Sequence, residues 1–221
     1  MKGVFVTGTD TGVGKTVVAA WLMRALDGDY WKPVQTGLAE GDSDSETVRR
    51  LSGFHGDRFH APTYALQAPL SPQAAAQHEG VRITIAGFSL PQSSRPMVVE
   101  GAGGVLAPLG EGLVMAELIA HLGLSVVLVA RTALGTINHS LLSLEALRSR
   151  GLEVAGMVFC GPPDASNRKA VEQFGVVPTL GEVPLLDPLD AGAIATLANN
   201  TPPCFAEARH MVAGSTGTAH G

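Results

Sequence analysis

Apolar residues along this chain fall into two alternating rhythms. Short unbroken runs, Val4-Phe5-Val6-Thr7, Met97-Val98-Val99 within Pro96–Glu100, Ser125–Ala130, Glu153–Cys160 and Val177–Glu182, are bounded by glycine or polar residues. They are too short for helices and read as strands buried on both faces of a parallel sheet. Tyr30–Val34 reads as a further strand, with Pro33 near its end. Between these runs the apolar spacing becomes helical. Val17, Val18, Trp21, Leu22 and Leu26 predict a helix over Gly14–Leu26, with Gly28 beyond its end. Similar patterns predict helices over Asp44–Leu51, Ser71–His78, Met115–Leu122, Asn138–Arg150 and Asn167–Phe174. Strands alternating with helices imply right-handed crossovers, hence a single-domain α/β fold: a mostly parallel sheet with helices on both faces. Ligands on such sheets sit at the carboxyl ends of the strands. From about Asn199 the chain turns polar and rich in Gly, Ser and Thr, so the domain is expected over 1–198 and a mobile polar tail over 199–221.

Composition narrows the function. The 221 residues suit one core, and 45% hydrophobic with 16% charged residues excludes a disordered chain. A net charge of -5, with no basic run longer than Arg49-Arg50, excludes a nucleic-acid binder held by phosphate contacts. No apolar stretch reaches the roughly 20 residues of a membrane span, so a cytoplasmic protein is expected. Cys160 and Cys204 match no disulfide or zinc spacing. Only Lys2, Lys15, Lys32 and Lys169 are lysines, against eleven arginines, so each retained lysine raises a question of chemistry.

The strongest signal is Gly8-Thr9-Asp10-Thr11-Gly12-Val13-Gly14-Lys15-Thr16, lying between a strand and a helix. Glycines let the backbone fold around phosphate oxygens, with N–H groups and a helix N-terminus facing the anion. In that loop Lys15 reaches the β/γ-phosphates and the Thr16 hydroxyl ligates Mg²⁺. The usual spacing puts the first glycine at Thr9, so this is a variant loop with its glycine one position early. A Mg²⁺·nucleotide site needs further oxygen ligands. Glu100, at the end of an apolar strand, is one candidate, its alternative being a solvated strand-end carboxylate. Asp44 is another, its alternative a helix N-cap. Lys32 follows an aromatic run at a strand end, an awkward place unless it projects into a site.

Together with the phosphate loop, Trp31-Lys-Pro-Val-Gln-Thr-Gly37, Ser43-Asp44, Val99-Glu-Gly-Ala-Gly-Gly104, Leu134-Gly-Thr-Ile-Asn-His139 and Gly181-Glu-Val-Pro184 make the chain resemble the dethiobiotin synthetases. The match runs through roughly the first 185 residues, in the family's order and spacing. The resemblance implies an ATP-dependent cyclo-ligase that closes a cyclic urea on 7,8-diaminononanoate with CO₂, through a carbamate and a carbamic–phosphoric anhydride. It implies Lys15, Lys32 and Thr11 as catalytic groups, and Thr16, Asp44 and Glu100 around Mg²⁺. Gly12, Val13, Gly14, Lys15 and Thr16 would hold the nucleotide's phosphates. Cys160, Gly161, Val183 and Pro184 would lie at its base, with Cys160 where the family usually has asparagine, which leaves other triphosphates open. Thr36, Gly103 and Asp10 would meet the substrate. The resemblance further implies a homodimer with the substrate across the interface, its carboxylate held by Thr136, Ile137 and Asn138 of the opposing subunit. Asn138 read alone is equally an N-cap. Two alternatives share this architecture: a partitioning ATPase of the MinD/ParA type, in which a signature lysine stands near Asp10, and a non-catalytic nucleotide-binding regulator.

Overall fold

A computed structural model describes residues 2–205. In chain order it comprises β1 (Gly3–Gly8), α1 (Lys15–Leu26), β2 (Asp29–Trp31), β3 (Val34–Gln35), α2 (Asp44–Ser52), β4 (Phe59–His60), β5 (Tyr64–Ala65), α3 (Pro72–His78) and β6 (Met97–Gly104). There follow β7 (Pro108–Gly110), β8 (Leu113–Val114), α4 (Met115–Leu122), β9 (Ser125–Arg131), α5 (Thr136–Arg148), β10 (Val154–Cys160), α6 (Ala165–Gly175), β11 (Thr179–Val183) and α7 (Ala191–Asn200). Seven strands form one sheet in the order β11-β10-β9-β1-β6-β2-β4. Every pairing in it is parallel.

The twofold period of the strands divides the apolar side chains between two cores. Phe5, Val99, Leu128 and Met157 face α3 to α6, whereas Val4, Val6, Val98 and Val158 face α1, α2 and α7. The predicted α/β sandwich with helices on both faces is the observed one. No helix of the described residues is long and apolar enough to cross a membrane.

Four local differences from the sequence reading bear on the site. Tyr30–Val34 is two strands, not one. Pro33 has no N–H to give a ladder, so β2 stays with β6 and β4 while β3 leaves to pair with β5. Lys32 stands at that break. β6 does not end at Glu100 but continues to Gly104, which pairs with Gly8 after a bulge. α5 begins at Thr136 behind Gly135 in the left-handed region, so Asn138 is not its N-cap. Finally, α7 was not anticipated. Asp190 caps it by accepting from the Ala193 N–H, and it runs to Asn200, past the expected boundary at 198.

Residues 201–205 are also fastened. The Trp21 indole donates to the Thr201 carbonyl (3.2 Å), the Cys204 N–H donates to Leu180 O (3.1 Å), and Phe205 packs on the α1-side core. A mobile tail starting at 199 is therefore corrected for 199–205, and its remainder, 206–221, lies outside the described residues. One backbone hydrogen bond and a part-buried phenyl ring contribute about 1–3 kcal/mol. A chain ending at Thr201 is expected to melt several degrees below one ending at Phe205. Equal melting curves would show that these residues add nothing.

Candidate active site

The loop after β1 enters α1 through Gly14, whose φ of 100° caps the helix without any side-chain bond. The first N–H groups of α1 are thus left pointing outward at the carboxyl edge of the sheet, where an anion can take them. Val13 anchors the loop from below, 2% exposed in the core. Gly12 has nothing within 4 Å of the position a Cβ would take. The loop's other side is closed by β6, since a Cβ at Gly104 would lie 3.4 Å from Gly8 O and 3.5 Å from Thr9 O. Lys15 is buried and donates to the Asp10 carbonyl at 2.9 Å. Burial lowers its pKa, aided by the nearby Lys32 charge and opposed by Glu100, Asp44 and Asp10.

Around Thr16 three separated stretches of sequence meet. Its hydroxyl lies 2.9 Å from Asp44 Oδ1 and 3.0 Å from Glu100 Oε1. Lys32 Nζ lies 2.7 Å from Asp44 Oδ2 and 3.0 Å from Glu100 Oε1. Glu100 is 1% exposed and Lys32 3%, so neither is a solvated strand-end group. Burial works against the Lys32 charge, but the two carboxylates outweigh it and hold its pKa above the usual value. For Asp44 burial likewise opposes ionisation, yet the Lys32 charge and bonds from Lys32, Thr16 and Gln35 keep its pKa low. Asp44 is not the N-cap of α2. Ser43 fills that position in a capping box with Glu46, and Asp44 is the first helical residue.

Two residues that the sequence reading passed over hold these carboxylates. The Gln35 amide is 3.5 Å from Asp44 Oδ2, and its Oε1 accepts from the Asp44 N–H at 3.1 Å. The Tyr30 hydroxyl donates to Glu100 Oε2 at 2.9 Å. Burial, with the Glu100 and Asp44 charges, pushes the Tyr30 phenol well above its usual range, so it remains a donor. Its place in the apolar run of β2 gave no signal of a polar role. Arg131, at the end of β9, was also passed over; it pairs with Asp10 Oδ2 at 2.9 Å, while Asp10 Oδ1 accepts the Thr11 N–H at 2.7 Å.

Beside this cluster opens a cleft of about 710 Å³, lined by Asp10, Thr11, Thr36, Gly103, Ala107 and the Pro69–Pro72 loop. Cys160 ends β10, with Gly161 following, and Val183 ends β11 opposite Cys160, with Pro184 following. The Cys160 thiol faces the loop, since a Cβ at Gly14 would be 2.8 Å from its Sγ. Burial pushes that thiol up to about 12. Thr136, Ile137 and Asn138 are not joined to the cluster by any side-chain hydrogen bond among the described residues; Thr136 is buried and Asn138 exposed.

An all-oxygen set of one hydroxyl and two carboxylates suits a hard divalent cation, and too few protein ligands for a closed cage suits one shared with phosphates. Among the described residues no group of three His, Cys, Asp or Glu side chains offers a competing centre.

A glycine loop between the central strand and its helix, a lysine and a threonine at that helix start, and two carboxylates facing the threonine define a nucleoside-triphosphate protein of the P-loop class. The profile described as an AAA domain matches residues 2–193. Solved structures agree on the fold. The cell division ATPase MinD of Pyrococcus furiosus has a TM-score of 0.54 at 14% identity, with 96% of this chain and 97% of that chain covered. A ParA family ATPase from Chlorobium tepidum has a TM-score of 0.50 at 14% identity, with 90% and 99% covered. Sequence relatives are more specific. The ATP-dependent dethiobiotin synthetase BioD of Rhizorhabdus wittichii is 50% identical over 194 residues, 88% of this chain and 92% of that protein. Its counterpart from Paramagnetospirillum magneticum is 48% identical over 205 residues, 93% and 97%. The biotin biosynthesis bifunctional protein BioCD of Bordetella avium is 55% identical over 201 residues, 91% of this chain but only 43% of that longer protein. The chain belongs to the ATP-dependent dethiobiotin synthetase family. The partitioning-ATPase and regulator alternatives are set aside.

Proposed function

We propose that this chain closes the urea ring of dethiobiotin from 7,8-diaminononanoate, CO₂ and ATP, with the residues around Thr16 performing the chemistry. The observation that carries the reading is the convergence of Lys15, Thr16, Lys32, Asp44 and Glu100 beside a cleft of about 710 Å³. One amine adds to CO₂ and loses a proton, giving a carbamate. A carbamate oxygen then attacks the γ-phosphorus and ADP departs. The second amine attacks the carbamate carbon, expels phosphate and loses its proton as the ring closes. Each species is an anion next to a polyphosphate, so cations and N–H donors fixed in place before reaction supply the stabilisation.

In this reading Lys15 and the N–H groups of Gly12 to Thr16, with Val13 as their anchor, hold the phosphates. Lys32 meets the carbamate and γ-phosphoryl oxygens, and Thr11, Thr36 and Gly103 offer hydrogen bonds along the cleft. Asp10, steadied by Arg131, faces an amine. Thr16, Asp44 and Glu100 would hold Mg²⁺, which when bound neutralises phosphate charge. The substrate carboxylate falls to Thr136, Ile137 and Asn138 of a second copy in a homodimer, where the start of α5 offers backbone N–H groups to an anion.

ATP turnover measured with each co-substrate omitted tests the activity: phosphate release should require both 7,8-diaminononanoate and CO₂. Turnover without them would overturn the proposal. At the nucleotide's base, with Gly161, Val183 and Pro184, Cys160 presents a neutral thiol packed toward Gly14. A thiol is a weak donor and acceptor and cannot make the paired contact of an asparagine amide. Discrimination by shape and apolar contact alone is modest, so kcat/KM for ATP, CTP, GTP and UTP is expected to span less than about a hundredfold. A wider preference for ATP would show that another group reads the base.

A further inference from the structure

Glu100 is asked to do several things with two oxygens. Its Oε1 lies 3.0 Å from the Thr16 hydroxyl, whose one proton it shares with Asp44 Oδ1, and accepts from the Lys32 ammonium at 3.0 Å. Its Oε2 receives the Tyr30 hydroxyl at 2.9 Å and, among the described residues, no other hydrogen bond. On its other flank β6 pairs Glu100 with Val6, which has nothing polar to offer. A carboxylate this deeply buried needs a donor on each of its oxygens, because an unsatisfied polar oxygen is costly in a low-dielectric interior.

The sheet register explains why Tyr30 can supply that bond. Tyr30 pairs with Val98, two residues before Glu100 on the same face of β6. Its ring reaches diagonally along that face, a distance open to aromatic and other long side chains. The ring is fully buried and held by Phe59 of β4, with centroids 5.9 Å apart at 51°. Its hydroxyl is therefore fixed from the core side, not swung in from solvent.

We propose that Tyr30 is a positioning residue: it pins Glu100 Oε2 so that Oε1 stays turned toward Thr16, and so tunes the affinity of this site for a divalent cation. The inference rests on the reading of Thr16, Asp44 and Glu100 as the metal-holding set. Groups that orient a ligating carboxylate from behind change metal affinity by roughly 10–100-fold when removed.

The test is Mn²⁺ binding to the protein·ADP complex, followed by electron paramagnetic resonance of free Mn²⁺, for wild type, Tyr30→Phe, Glu100→Gln and the double variant. ADP affinity in EDTA and melting temperature are measured alongside. Tyr30→Phe is expected to weaken Mn²⁺ by about tenfold or more, with metal-free ADP affinity unchanged, and to add less than about twofold in the Glu100→Gln background. Additive losses would mean that Tyr30 does not act through Glu100 and would overturn the proposal. Wild-type Mn²⁺ affinity in Tyr30→Phe beside a weakened Glu100→Gln would overturn it while leaving the metal reading intact. Wild-type affinity in Glu100→Gln would remove the metal reading itself. Should Tyr30→Phe fail to fold, the wild-type chain labelled with 3-fluorotyrosine serves instead, since it holds only two tyrosines. The Tyr30 fluorine resonance, assigned with Tyr64→Phe, should shift on Mg²⁺ addition to the ADP complex with the same midpoint as metal binding. A resonance that does not move would overturn the proposal.

Discussion

Replacing Lys32 with glutamine is expected to lower kcat by about 30- to 1,000-fold, the equivalent of roughly 2–4 kcal/mol of lost transition-state stabilisation. Lys32 is 3% exposed, and its ammonium pairs with the two carboxylates beside Thr16. Its charge is therefore set in a site with little water to screen it, where a fixed cation is most effective against a developing anion. A glutamine amide can keep one hydrogen bond to Asp44 or Glu100 but returns no charge. The two carboxylates would then lose a competing cation and share the site with Lys15 as the remaining lysine, so divalent-cation binding should be no weaker while kcat falls. ADP affinity in EDTA should stay close to wild type, because among the described residues Lys32 makes its hydrogen bonds and ion pairs to Glu100, Gly101 and Asp44, and none to the loop or α1. Steady-state kinetics with a metal-free ADP titration checks both halves. An unchanged turnover number would remove Lys32 from the chemistry.

Gly14→Ala is expected to weaken nucleotide binding by on the order of a hundredfold, from two independent penalties. A φ of 100° lies in the left-handed region, where a Cβ costs about 1–2 kcal/mol. The new methyl would also stand 2.8 Å from Cys160 Sγ and 3.0 Å from its Cβ, and forcing such a contact costs about 1–3 kcal/mol. The loop has to move to relieve the contact, and its N–H groups move with it. Adding Cys160→Ala removes the sulfur while leaving the backbone strain, so the double variant should regain roughly tenfold in affinity. Calorimetric titration with ADP measures each variant. Wild-type affinity in Gly14→Ala would mean that the loop geometry is not limiting, and no recovery in the double variant would assign the whole loss to strain.

The layered parallel fold and the phosphate loop were legible in the chain because both are written in local patterns. Val4–Thr7 and Ser125–Ala130 are continuous apolar runs that only a strand covered on both faces can use. The glycine spacing from Gly8 to Lys15 is a local backbone instruction. α7 went unread because Ile194 and Leu197 are its only large apolar residues in an otherwise small, Ala-rich stretch; it is held by Asp190 at its start and by Ile194 and Ala198 packed into the α1-side core. Lys32 was suspected from its awkward position, yet the break of β2 from β3 at Pro33 had been read as one strand. Asp44 could not be separated from an N-cap until Ser43 and Glu46 were seen to fill the capping box.

The sequence by itself determined the α/β class, the nucleotide loop and, through motif resemblance, the family. Only the tertiary structure decided that Lys32, Asp44 and Glu100, which lie 12 and 56 positions apart along the chain, meet around one threonine hydroxyl. It alone enlisted Tyr30 and Gln35 to hold the carboxylates. The physical reason is that periodicity and glycine spacing act between near neighbours, whereas the partner of a buried charge is fixed by sheet order and register. β2 lies beside β6 only because the chain crosses over, and no local pattern records where it lands.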